Sequence, residues 1–302
     1  MRKKDYDYRD IVNCIVTDRI EKCEFHYLDW VYPENNNSNE IKELSVKLNS
    51  KEVYLEEQKI LLAIPDAISD SLNDDFGIVM EEEAYMKMND EIHRIKSKMI
   101  FERIGNAASI SRKKNIKGFK KIMFNAFGYD PGEYISSINT EQKLVAKILK
   151  GSNIIAQKGR RGPANFVIVN QEIGSIIQDS KYFNFDSFSD NTYDSGVRKR
   201  IMGIEKIGDI CGLTVYINLN MGGNDNRMIF GAKSLDSPGI YLVENPEYIE
   251  SKEIQGYCTV CSLINYFTVT EVGNFENLYY EIILEFDMWY TKIWKKFKKF
   301  IK

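Results

Sequence analysis

The chain has 302 residues, of which 43% are hydrophobic and 28% charged. That balance excludes wholesale disorder and fibrous repeats and leaves room for one large domain or two modest ones of roughly 100–200 residues. Its 41 basic and 44 acidic residues give a net charge of −3, so no global field draws it onto nucleic acid and any such contact must be local. No apolar run approaches the roughly 18 residues of a membrane span, and the start Met1-Arg2-Lys3-Lys4-Asp5 leads into polar sequence without a signal-peptide core. We therefore expect synthesis and retention in a cytosol. Five cysteines, an odd count, argue for reduced thiols and against a disulfide framework. Cys258 and Cys261 form one Cys-x-x-Cys, but zinc needs four ligands and no second pair accompanies them, so no metal is expected.

In chain order, the first 44 residues carry aromatics without a period and then the cluster Asn35-Asn36-Asn37-Ser38-Asn39, which reads as an arm with a loop. Alternation in Ser45–Asn49 and Val53–Leu55 predicts strands or an extended loop over 45–65. From Met80 to about Ile104, residues Ala84, Met88, Ile92, Ile95, Met99 and Ile100 recur at three- and four-residue steps. Glu81, Glu82 and Glu83 stand at the start, and Lys96, Lys98 and Arg103 towards the end. The spacing predicts a long amphipathic helix whose charge order suits its dipole, with Gly105-Asn106 as its stop.

The basic stretch Ser111–Lys121 includes Arg112, Lys113, Lys114 and Lys117 beside Phe119. It reads either as a solvated loop or as a local phosphate contact. Leu144, Val145, Ile148, Leu149, Ile154 and Ile155 predict a second helix over Thr140–Gln157, with Thr140 as cap. Ala164–Asn170 is suited to a buried strand, and Gln171–Gln178 returns to helical spacing. Further strands are expected near Ile204–Ile210, Leu213–Leu219, Met228–Phe230 and Gly239–Val243, with a turn at 221–226. Long helices beside separate strand runs make the fold class α+β.

Catalytic patterns are missing. The two histidines, His26 and His93, sit beside no serine or cysteine in a nucleophile context. Gly159-Arg160-Arg161-Gly162 lacks the Gly-Lys-Ser/Thr ending of a phosphate loop. Glu81–Glu83 begin a helix, where carboxylates are expected for dipole reasons alone. Neither an enzyme activity nor a cofactor nor a small-molecule substrate is expected.

Three segments in order resemble the T-even-type major capsid proteins, members of the Hong Kong 97-type capsid fold. They are Ser50–Asp66 with Asn73–Ile78 leading into Glu81–Glu91, then Gln157–Val169 with its Gly-Arg-Arg-Gly turn and Asn165-Phe166 strand start, and then Met228–Ser234 with Asp236–Leu242 and Asn245-Pro246. The resemblance implies an N-terminal arm over 1–44, an extended loop over 45–65 and a peripheral domain with the spine helix over 66–125. It further implies an axial domain with a central sheet over 126–250 and strands returning to the peripheral domain over 251–287. Only about fifty residues precede the extended loop, so a cleaved propeptide is not expected.

The last segment, 288–302, places Trp289, Ile293, Trp294, Phe297, Phe300 and Ile301 on one helical side and lysines largely on the other. A basic amphipathic helix of this kind suits docking on a neighbouring subunit, no membrane partner being expected. The implied function is a structural head protein that self-assembles into hexamers and pentamers of a tailed-phage shell, with other capsid and head proteins as partners. The shell encloses double-stranded DNA held non-specifically; synthesis is in the host cytoplasm and residence in the virion. Arg160, Arg161, Asn165, Trp289, Trp294 and Phe297 are the candidate inter-subunit contacts, and Arg112, Lys113, Lys114 and Lys117 the candidate DNA-facing residues. An encapsulin-like compartment shell or a vertex paralogue, and a nucleic-acid-binding protein, stay open as alternatives.

Overall fold

Tyr8, Ile11 and Val12 are buried, so the expected arm is core from the first residues that the structure describes. This computed structural model describes residues 7–31, 45–77, 79–114, 122–124, 134–160, 162–185, 203–223, 225–233, 238–246, 248–254 and 258–286. The Asn35–Asn39 cluster and the tail 288–302 lie outside them. The chain forms two compact units, one of Met1–Arg103 with Ser234–Phe275, the other of Ile104–Lys233 with Glu276–Lys302. The expected boundaries at 125, 250 and 287 differ from this division, and strand pairing gives the reason: residues 239–244 hydrogen-bond to 267–272, which carries them into the first unit.

In the first unit, strands β1 (Asn13–Val16), β2 (Lys22–Val31), β3 (Ser45–Tyr54) and β4 (Glu56–Pro65) precede helix α1 (Asp66–Phe76). Helix α2 (Met80–Lys114) follows and gives its first 24 residues, 80–103, to this unit. It does not stop at Gly105. Ile100, Ile104, Ala107, Ala108 and Ser111 continue the buried stripe, and that burial outweighs the roughly 1 kcal/mol that an internal glycine costs a helix. The four residues Ser111–Lys114, expected in a loop, are its last turn.

Anticipating the later strands in chain order, β5 is Ile122–Phe124, α3 Tyr134–Gly159, β6 Phe166–Val169, α4 Gln171–Gln178, β7 Phe183–Phe185, β8 Ile204–Ile210, β9 Leu213–Asn218 and β10 Arg227–Gly231. The remainder are β11 (Gly239–Glu244), β12 (Tyr248–Ile254), β13 (Cys258–Val272) and β14 (Tyr279–Phe286). The first unit's sheet has the order β1-β11-β13-β12, with β4 also paired to β13. β13 is long enough, at 15 residues, to pair antiparallel with β4, β12 and β11. The ribbon β2–β3 buries Cys23, Phe25 and Val53 with Tyr241, Val243 and Val272, the odd-numbered face that period-two alternation selects. Cys258 and Cys261 are free thiols on β13.

The second unit is a seven-stranded sheet, β5-β14-β10-β6-β9-β8-β7, packed with α3 and α4. β6 is buried along its whole length, as a continuous apolar run at the centre of a sheet should be. α3 begins at Tyr134, so Thr140 is inside the helix and not its cap; the breaker is Pro131-Gly132 upstream, and no glycine or proline stands between Tyr134 and Thr140. α4 spans the expected residues, and Asn170 caps it by accepting a hydrogen bond from the Ile173 amide at 2.8 Å. Gly151 on α3 is a packing glycine: a Cβ there would stand 2.6 Å from the fully buried Phe230 ring on β10. Replacing that ring, as in Phe230→Ala, should therefore open a cavity at the helix–sheet seam and lower the unfolding free energy by about 3–5 kcal/mol, measured by urea denaturation.

Candidate assembly surface

Alternation leaves the even-numbered face of the β2–β3 ribbon to solvent; that face is polar at one end, with Lys22, Glu24, His26, Ser50 and Glu52, and apolar at the other, with Leu28, Val46 and Leu48. Leu28 stands directly opposite Leu48; Leu48 is 68% exposed, Tyr54 67% and Val46 46%. An antiparallel ribbon with one face already buried should carry polar residues on the other. A cross-strand apolar pair facing water marks a surface that something covers. β4 continues the pattern with exposed Leu61 and Leu62. It pairs with β13 along one edge, and among the described residues no strand pairs with its other edge, the usual position for strand addition.

Behind the first unit's surface lies a buried charge cluster. The Lys96 ammonium on α2, fully buried, donates to Glu244 Oε2 at 2.8 Å. Arg9 Nη2 donates to Glu244 Oε1 at 2.7 Å. Lys96 also stands over the Phe267 ring, 5.2 Å from its centroid, a favourable cation–π position. Burial, the largest single influence, pulls the Arg9 guanidinium down, but the Glu244 charge together with Tyr8 and Cys14 outweighs it and the net shift is upward. One residue away, Tyr8 Oη and His93 Nδ1 share a hydrogen bond of 2.5 Å. Burial, and then the Glu244 charge, raise the Tyr8 hydroxyl well above the usual phenol range.

The second unit repeats the motif with other residues. The buried Glu281 carboxylate on β14 accepts from Arg112 Nε on α2 at 2.7 Å, and Arg227 Nη1 stands 3.6 Å from its other oxygen. Arg227 also forks onto Asp225 through bonds of 2.7 and 2.6 Å. Lys158 on α3 donates to the Ser111 carbonyl at 2.8 Å and to its hydroxyl at 2.9 Å. Burial, then the nearby Lys114 charge, hold the Lys158 ammonium below its usual range.

The residues singled out in the sequence fall into different places. Arg112 is engaged by Glu281 and Lys114 by Glu276, whereas Lys113 is exposed; Lys117 lies outside the described residues. Arg160 is exposed and holds a left-handed backbone, φ 52°, just past the end of α3, its amide bonding the Ala156 carbonyl at 3.0 Å. Asn165 is engaged within the unit, its amide exchanging bonds of 2.8 and 3.0 Å with the Lys233 backbone. Arg161, Trp289, Trp294 and Phe297 lie outside the described residues. Sequence reasoning missed Glu244 and Glu281 as ion-pair acceptors; each lies in an apolar strand run, Gly239–Glu244 and Tyr279–Phe286. A carboxylate inside such a run was the one available signal.

The family model described as major capsid protein Gp23 matches residues 31–241. Among solved structures, a chain of Microbacterium phage Oxtober96 is 11% identical with a TM-score of 0.54, covering 91% of this chain and 90% of that one. A chain from the capsid structure of Cyanophage P-SCSP1u is 9% identical with a TM-score of 0.53, covering 93% and 88%. One of Mycobacterium phage Cain is 10% identical with a TM-score of 0.50, covering 95% and 96%. At such identities the likeness is one of fold, and the fold is the Hong Kong 97-type. No curated protein matches the chain.

Two outcomes follow from the charge cluster. Glu244→Gln strands the buried Lys96 and its companion Arg9, and thermal unfolding should show a loss of about 3–5 kcal/mol. Lys96→Met, which leaves Glu244 paired with Arg9, should cost less. The Tyr8 shift has a definite sign: its folded-state pKa is raised above an unfolded value near 10, so its contribution is intact below about pH 10 and is lost as pH climbs from there towards the folded-state value. Tyr8→Phe should flatten that alkaline slope in a pH series of melting curves.

Proposed function

This chain belongs to the major capsid protein Gp23 family, a structural shell protein of a phage, and we propose that its copies form hexamers and pentamers that close into a head around double-stranded DNA. The observation that carries this reading is the apolar end of the outer face of the β2–β3 ribbon, where Leu28 and Leu48 form a solvent-facing pair. A neighbouring copy is the natural cover. Repeated around a capsomer, many such modest contacts sum to a stable container without any single strong one. Arg160, exposed on a turn between Gly159 and Gly162, is suited to fork onto a neighbour's carboxylate. Arg161, Asn165, Trp289, Trp294 and Phe297 are proposed as further contacts, and other head proteins as further partners.

DNA inside the head would be held non-specifically, with Lys113 the exposed member of the basic end of α2 and Arg112, Lys114 and Lys117 its companions. With two of these engaged in ion pairs, DNA contact by this segment should be weak and salt-sensitive.

Negative-stain electron microscopy of the protein, expressed alone and with neighbouring head proteins, tests the assembly reading. Wild-type chains should give shells or capsomer rings. Leu28→Glu/Leu48→Glu, placed on an exposed face, should keep the circular dichroism spectrum and melting point. Particle yield should drop by about tenfold or more, the change that roughly 1.4 kcal/mol per contact produces. Normal particles from that variant would remove the ribbon face from the assembly contacts.

A further inference from the structure

Helix α1 is an oddity of the first unit. It has 11 residues, below the roughly 12–15 at which an isolated helix becomes even marginal in water, yet none of its described side chains is buried. Phe76 is 71% exposed and Ile68 50%, and Val79 and Met86 beyond it are exposed as well. A helix normally draws its stability from an apolar face packed on the protein. Here the large apolar side chains Ile68 and Phe76 point to water instead.

Charge adds a second observation. Between residues 66 and 83 stand seven acids, Asp66, Asp70, Asp74, Asp75, Glu81, Glu82 and Glu83, and no base. None of these acids forms an ion pair among the described residues. The opposite composition occurs in two stretches of the same sequence, one at 112–121, where Arg112 and Lys114 are already engaged by Glu281 and Glu276, and the other at the carboxyl end. After Asp287 the chain carries Lys292, Lys295, Lys296, Lys298, Lys299 and Lys302, interleaved with Trp289, Trp294, Phe297 and Phe300, and no acid.

We propose that the acidic, apolar surface of α1 and the first turns of α2 is the docking site for the lysine- and aromatic-rich tail, residues 288–302, of a second copy of this chain. The aromatics cover Ile68, Phe76, Val79 and Met86 while the lysines face the surrounding carboxylates. The match of an acidic patch to a basic one fixes partner and orientation, and the apolar contact supplies most of the affinity. Surface and tail are different patches, so the contact is heterologous: each copy offers one of each, and the pairing propagates from copy to copy until rotation closes the ring. Because the charges are solvent-exposed, the contact weakens with salt as the Debye length falls.

The inference rests on the shell-forming role proposed above, and a charge-swap experiment separates the two. Three full-length chains are compared with wild type: a face-reversed variant (Asp70→Lys/Asp74→Lys/Glu82→Lys), a tail-reversed variant (Lys295→Glu/Lys296→Glu/Lys299→Glu), and the chain carrying both sets. Folding is checked by circular dichroism and melting point, and assembly by sedimentation and electron microscopy at low salt. Each single variant should lose particle yield by about tenfold or more, and an equimolar mixture of the two should regain six-membered rings, in which the two variants alternate and every face meets an opposite tail on another copy. If the face-reversed chain does not fold, the neutral set Asp70→Asn/Asp74→Asn/Glu82→Gln takes its place, and its assembly should fall and lose most of its salt dependence.

Normal particle yield from the face variants, with wild type assembling, overturns the docking site, and it is the outcome expected if the tail binds DNA or another protein. Recovery only in the chain carrying both sets, and not in the mixture, overturns the second copy as occupant. Absence of particles from wild type under every condition refutes instead the shell reading on which the proposal stands.

Discussion

Two carboxylates buried in strands, Glu244 on β11 and Glu281 on β14, are the constraint around which each unit is organised. A buried carboxylate without cations is untenable, since desolvation alone costs several kcal/mol. Each therefore faces two bases. Helix α2 contributes one base to each, Lys96 in the first unit and Arg112 in the second. Along the rest of its buried side the helix presents an aliphatic stripe of Ala84, Met88, Ile92, Ile100, Ile104 and Ala108. Ion pairs of this kind add little net stability over apolar substitutes. Within each unit the pairing ties the helix to its strand, since removing the base would leave the carboxylate buried without it.

The surface shows the complementary feature. Several polar groups are matched to partners within the units, as in the Asn170 cap and the Asn165–Lys233 exchange. Outside, the β2–β3 ribbon, the edge of β4 and helix α1 carry Leu48, Leu61, Ile68 and Phe76 into solvent. A subunit built to remain alone would be selected against such exposure, because apolar ribbons and open strand edges invite association. Membership of the major capsid protein Gp23 family turns that liability into the expected property of a shell subunit, which assembles with other capsid proteins. The buried histidine, His93, is engaged with Tyr8, a packing arrangement well inside the first unit.

Local pattern alone determined much of the secondary structure of this protein. The strand and helix at 166–178, the strands at 204–210 and 239–244, the ribbon at 45–54 and most of α2 follow from period-two and period-3.6 alternation, because those periods are set by backbone geometry and need no distant partner. The motif order from Ser50 to Asn245 likewise carried the resemblance to the capsid family within a span that the family model matches. Where a helix ends was less legible. Gly105 reads as a stop, yet α2 runs on to Lys114 because burial of Ile104, Ala107 and Ala108 against other elements outweighs a local glycine penalty.

Only the tertiary structure decided which charges are buried, which strands join which unit, and which apolar face stays outside. Lys96 in the sequence is one more base on the carboxyl-terminal half of an amphipathic helix, and it becomes a core residue only because Glu244 comes from 148 positions away. Residues 239–244 join β13 in the first unit, and Tyr279–Phe286 join β10 in the second, through hydrogen bonds whose partners no local pattern names. Alternation in β2 and β3 shows that two faces exist, but the sequence places apolar and polar residues on both. The choice of Phe25 and Val53 for the core and Leu28 and Leu48 for the surface is made by Tyr241 and Val243 across the unit. Periodicity is a property of a segment, whereas burial is a property of what that segment meets.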